Sequence, residues 1–147
     1  MKRVNLLQTQ PEAYKAMAAL EAYVNSTELA PVHKELIKIR TSQINGCAYC
    51  LDMHNRDARK LGETEQRLYT ISAWRDTPFF DEKEQAILAL TEEATLISKG
   101  GVSDDTYNRA LDVLGANYLG QVLMAIITIN GWNRIAITTH LQPALQK

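Results

Sequence analysis

Cys47, Cys50 and His54 stand at i, i+3 and i+7 within the stretch Glu35–Gly62. A helix opened by Asn45 or Gly46 puts all three on one stripe, because 3.6 residues make a turn. Both cysteines of the chain lie in this stretch, with one of its three histidines. Two thiols and an imidazole on one face can do chemistry that none of them does alone. The rest of the sequence reads as the scaffold that holds this stripe.

That scaffold is predicted to be all-α, about six to seven helices in a single domain spanning residues 1–147. No stretch has the alternation of a strand, and no internal repeat is found. Thr9-Gln10-Pro11-Glu12 reads as a capping box with Pro at the first helical position, opening a helix to about Ser26. A second helix begins near Pro31 and is broken by Gly46. Val32, Leu36 and Ile39 face inward on it, flanked by Ile37 and Ile44. The third, from about Cys47 to Leu61, carries the stripe and stops at Gly62. Thr64 caps a fourth helix through Trp74, and Arg75–Phe80 is a loop. Asp81-Glu82-Lys83-Glu84 opens the fifth, whose apolar face is Ile87, Leu90, Ala94 and Ile97. Ser103 caps the sixth, with Tyr107, Ala110, Leu111 and Leu114 inside. The last helix, roughly Tyr118 to Thr139, is apolar on most sides between Val122 and Ile129, as expected of a helix covered by its own fold or by another copy.

The bulk numbers narrow the function. At 147 residues the chain can bury a core without disulfide staples. Its net charge is -1 with no basic block, so nucleic acid is not the expected partner. Met1–Gln8 lacks the apolar core of a signal peptide. The longest apolar run, Leu123–Ile127, is far short of the roughly 20 residues of a membrane span. A cytoplasmic protein that does not engage a membrane is expected. In a reducing compartment, Cys-x-x-Cys is catalytic or metal-binding more often than structural.

The stripe has the parts of a dithiol redox centre. A thiolate is the useful nucleophile, and a free cysteine near pKa 8.5 is mostly thiol at neutral pH. The helix N-terminus favours an anion at Cys47. His54, one turn past Cys50, favours Cys50 instead. The spacing leaves open which effect wins. The two sulfurs are close enough to close a disulfide. Two other readings are a redox sensor that turns over slowly, and a zinc module using Cys47, Cys50, His54 and Glu35. Structural zinc draws its ligands as two pairs from separate segments, and no second pair is present. His33 and His140 show no partner and read as surface or interface residues. Asp52 and Arg56 form an i, i+4 pair. Trp74, Tyr118 and Trp132 read as core or subunit contacts.

Glu35, Arg40, Ser42-Gln43-Ile44-Asn45-Gly46, Cys47, Cys50, His54 and Ala58 together resemble the core motif of the AhpD-like alkylhydroperoxidases, in the carboxymuconolactone decarboxylase superfamily. The likeness is close over residues 30–62. It continues more loosely through Asn130-Gly131-Trp132-Asn133-Arg134. It implies an all-helical fold and a thiol-dependent peroxide reductase. Cys50 would attack peroxide and Cys47 would resolve the sulfenic acid. His54 and Glu35 would relay the proton through a water. It implies a hydroperoxide substrate, a dithiol or lipoyl-protein reductant, no bound cofactor or metal, and a homotrimer or homohexamer. Where well-known members carry His between the cysteines, this chain has Tyr49, which titrates near 10 and is a poor base at neutral pH. The decarboxylase branch lacks the Cys-x-x-Cys pair, which argues against that activity here.

Overall fold

A computed structural model describes residues 3–146. Met1 and Lys2, part of the stretch read for a leader peptide, lie outside them. The described residues form eight α-helices and no strand: α1 Leu6–Thr9, α2 Pro11–Ser26, α3 Pro31–Asn45, α4 Ala48–Lys60, α5 Glu65–Thr70, α6 Glu82–Thr95, α7 Asp104–Leu114 and α8 Ala116–Thr138. Short 3-10 turns at Ile71–Asp76 and Ile97–Lys99 follow α5 and α6. The eighth helix, beyond the six or seven expected, is the single turn α1.

Helix α3 is the axis of the fold, packed against α4, α6 and α8. Its two faces feed two cores. Ile37 joins Val24, Ile87, Leu90, Ile126 and Ile129 between α2, α6 and α8. Leu36 and Ile39 join Ala58, Leu68, Ile71, Trp74 and Leu88 on the other side. Ile37, expected to flank, is therefore fully buried. Fully burying an Ile or Leu side chain is worth about 1.5–3 kcal/mol, so α3 is anchored from both sides. Arg40 on α3 and Trp74 both donate to Glu92 Oε1 of α6, at 2.9 and 3.0 Å. Met17 of α2 lies against Gly131 of α8, where a Cβ would meet its methyl at 2.9 Å.

Several local expectations give way to tertiary context. The Thr9 capping box does not form. The N-cap of α2 is Gln10, without a side-chain bond, and the Thr9 hydroxyl instead donates to the carbonyl of Asn5, the N-cap of α1. The fourth predicted helix divides. Thr64 caps it as expected, but it ends at Thr70, and Ile71–Asp76 tightens into a 3-10 turn that includes Arg75 and Asp76 of the expected loop. Ile97 lies past the end of α6 and is exposed, and Tyr107 on α7 is exposed too. Both kept the helical period of their neighbours but fall where the core has ended. Ile127 is exposed on α8, so that helix has an apolar face that its own chain leaves open. His33, expected to be unpartnered, has Nδ1 2.7 Å from the Tyr118 hydroxyl, tying the start of α3 to that of α8.

Side-chain amides join α3 to α8 at their far ends. Asn45 Nδ2 donates to Asn130 Oδ1 and to Asn133 Oδ1, each at 3.0 Å. Asn133 Nδ2 donates to Ser42 Oγ at 3.0 Å, and Asn133 is fully buried. Replacing it with Ala removes two of these bonds, leaving Ser42 Oγ without its donor and Asn45 Nδ2 with Asn130 alone. Urea unfolding of Asn133→Ala is expected to show a loss of about 2–3 kcal/mol with an unchanged slope.

Burial, chiefly, holds the His33 imidazole below its ordinary value of 6.5, against the pull of Glu84 and Asp81. The folded state then binds this proton less readily than the unfolded chain. The stability this group supports is complete above 6.5 and is lost as pH falls below it. The urea midpoint is expected to drop between about pH 7.5 and about pH 5.5, and to drop less in His33→Gln.

Candidate active site

Gly46 sets the geometry of the dithiol. It closes α3 in the left-handed conformation, φ 74°, which a side chain would strain. The chain turns there, so Cys47 becomes the N-cap of α4 rather than a residue inside a helix begun at Asn45 or Gly46. Its Sγ accepts the Cys50 backbone N–H at 3.3 Å. Cys47 and Cys50 are joined by a disulfide, with Cα atoms 5.3 Å apart, inside the usual span for such bonds. The C-terminal end of α4 is closed at Gly62, φ 96°, with Arg59 and Lys60 in its last turn to complement the helix dipole. On the exposed side of α4, Arg56 pairs with Asp52 at 2.8 Å.

Both sulfur-bearing residues are buried, against Ala136 of α8 and Tyr49. They are not equivalent. Cys50 lines a cavity of about 1110 Å³, whereas Cys47 is not among its lining residues. His54, Glu35, Lys38 and Trp132 also line it.

Glu35 is buried, and its Oε2 lies 3.1 Å from His54 Nδ1. A carboxylate on Nδ1 holds a ring proton on that side and leaves Nε2 facing away from it. So four residues named from sequence are placed together: Cys47 with Cys50 by a covalent bond, His54 with Glu35 by a hydrogen bond, and Cys50 with His54 on the wall of one cavity.

Sequence reasoning missed the rest of the charge chain. Lys38 is buried one turn past Glu35, with Nζ 2.9 Å from Glu21 Oε1 and 3.9 Å from Glu35 Oε1. Glu21 Oε2 in turn accepts the Trp132 indole N–H at 3.2 Å. Lys38 at i+3 from Glu35 was the available signal, but its partner Glu21 is on α2. The zinc set of Cys47, Cys50, His54 and Glu35 is not free as four ligands while the sulfurs are bonded to each other. Oxygen and nitrogen donors of Glu35, His54 and Asp57 do lie within 4.8 Å of one another. The Lys38 ammonium beside Glu35 opposes a second cation there. No described helix is long and apolar enough to cross a membrane.

Residues 11–93 match the carboxymuconolactone decarboxylase family. An uncharacterized protein, YdfG, of Bacillus subtilis is 43% identical over 136 residues, covering 92% of each chain. A crystal structure from Agrobacterium tumefaciens, of a protein of unknown function proposed to be the antioxidant defence protein AhpD, superposes with a TM-score of 0.95 at 38% identity, over 99% of this chain and all of that one. The debrominase Bmp8 shares the fold, with a TM-score of 0.84 at 16% identity over 94% of this chain and 74% of its own. On the matched span and on these two close relatives, the chain belongs to the carboxymuconolactone decarboxylase family, with the AhpD-like helical fold.

Proposed function

We propose that the protein is a thiol-dependent peroxide reductase that cycles between the Cys47/Cys50 dithiol and the disulfide. The observation that carries this reading is a disulfide at the wall of a cavity that also holds the His54–Glu35 pair. The Cys50 thiolate attacks the outer oxygen of a hydroperoxide, and the O–O bond breaks. Sulfur is oxidised to the sulfenic acid, and the alcohol leaves with a proton delivered through His54. The Cys47 thiol then attacks the sulfenic sulfur, forming the disulfide and releasing water. An external dithiol, a small molecule or a lipoyl-bearing protein, restores both thiols by exchange. Glu35 orients His54 and balances the charge on its ring.

The difference between the two cysteines supports the assignment of roles. The sulfur that meets peroxide must face the cavity, which fits Cys50. The sulfur that only condenses with it can stay behind, which fits Cys47. This cycle suits a compartment that keeps thiols reduced, as the cytoplasm does. A trimer or hexamer would cover the Ile127 face of α8, and light scattering is expected to give three or six times the chain mass.

Purified protein should consume cumene hydroperoxide when supplied with dihydrolipoamide. Cys50→Ser should abolish turnover, by about 10³-fold or more. Cys47→Ser should leave a single oxidation of Cys50, trapped as sulfenic acid and read by mass spectrometry. Glu35→Gln should lower kcat by about 10²-fold. Turnover surviving in Cys50→Ser would overturn the assignment. Disulfide formation without sustained turnover would make the protein a redox sensor instead.

A further inference from the structure

Two cations on the wall of the cavity beside Cys50 are held by no carboxylate among the described residues. Of the acids that line it, Glu21 and Glu35 face Lys38 and His54, and Asp57 accepts from Lys60 at 3.1 Å. Two lining cations remain. Lys34 Nζ donates to the Asn25 carbonyl at 3.1 Å, and Arg3 Nη1 donates to the Thr138 carbonyl at 2.8 Å. Neither forms an ion pair with a carboxylate among the described residues. Burial, and next Lys38 one turn along, hold Lys34 below the ordinary lysine value, against the pull of Glu21 and Glu35.

The same cavity collects apolar surface. Val4, Leu7, Met53, Leu61 and Leu141 are large apolar side chains that the chain leaves exposed, and all five line this one cavity. Exposed apolar groups scattered singly need no explanation, but a gathered set around a concave site marks what binds there. At about 1110 Å³ the space is just above the usual range for ligand pockets and far larger than a hydroperoxide group requires.

We propose that the cavity binds a straight-chain carboxylate, with its chain along the apolar wall, its head group on Lys34, and Arg3 adding to the positive field. Resting on the peroxidase reading, the favoured substrate is then the hydroperoxide of a long-chain fatty acid rather than a small or neutral alkyl hydroperoxide.

The test separates binding from turnover. The disulfide form of the full chain is titrated by calorimetry with laurate, with octanoate and with neutral 1-dodecanol, each below its micelle concentration. Laurate is expected to bind about tenfold more tightly than dodecanol at low salt, an advantage of one charge-assisted contact. Each added methylene from octanoate to laurate should tighten binding by up to about fourfold. The carboxylate advantage should shrink in high salt and vanish in Lys34→Met. Leu7→Asp, on the exposed apolar wall, should abolish laurate binding, and it serves if Lys34→Met fails to fold. Equal affinity for laurate and dodecanol, or no saturable binding of either, overturns the proposal. In the kinetic arm, kcat/KM for linoleic acid hydroperoxide should exceed that for its methyl ester by about the same tenfold. Turnover of cumene hydroperoxide with no preference for the acid would sink this inference and leave the peroxidase reading standing. Selective laurate binding without turnover of any peroxide would do the reverse.

Discussion

Everything in the site depends on one carboxylate kept inside the protein. Glu35 is buried on the central helix, and taking a carboxylate out of water costs several kcal/mol unless partners compensate. The fold supplies an imidazole from α4 and an ammonium one turn along α3. The ammonium is in turn held by Glu21 of α2, whose other oxygen takes the indole N–H of α8. Four helices thus share one chain of charge-assisted contacts. The imidazole cannot move without leaving the carboxylate without one of its two partners, so the ring is held in place beside the cavity.

A second constraint aims the sulfurs. A one-turn helix shift moves a side chain by about 5.4 Å, enough to take Cys50 off the cavity wall. The amides of Asn45, Asn130 and Asn133 oppose such a slip because each group has a specific partner across α3 and α8. Apolar packing alone tolerates rearrangement more readily than a buried polar network does, since a displaced amide leaves unpaired atoms at both ends. The network sits at the last turn of α3, next to Gly46, so the register of α3 against α8 becomes the starting direction of α4. The conformational freedom of Gly46 and the amide pairs therefore act in series.

What was legible in the sequence was mostly local. Asp81, Ser103 and Thr64 cap their helices as read, because capping is a matter of three or four adjacent residues. Gly46 and Gly62 end α3 and α4 for the same reason. The grouping of Cys47, Cys50 and His54 was legible because they lie within about two turns of one helix start. Thr9 failed where a competing local acceptor, the Asn5 carbonyl, captured its hydroxyl. Ile97 and Tyr107 failed because a period of 3.6 says which face a residue shares but not where the neighbouring helix stops covering it. Lys38 was missed because a buried lysine is explained only by its partner, and Glu21 is seventeen residues away on another helix. The cavity could not be read at all, since it is assembled from α2, α3, α4, α8 and both ends of the described chain.

The spacing left open whether the helix terminus or the imidazole decides which sulfur is favoured as an anion. On the proposed cycle the two effects act on different atoms at different steps. Cys47 occupies the N-cap and accepts an N–H, so negative charge placed on its sulfur is stabilised by the start of α4. Cys50 faces the cavity and shares it with His54. On the proposed cycle, an incoming reductant can reach only the Cys50 sulfur of the disulfide. Attack there expels Cys47, and the thiolate better stabilised by its surroundings is the faster leaving group. In the oxidative half the same asymmetry runs the other way, with the accessible sulfur meeting peroxide near the base and the capped one held a single turn away to close the bond.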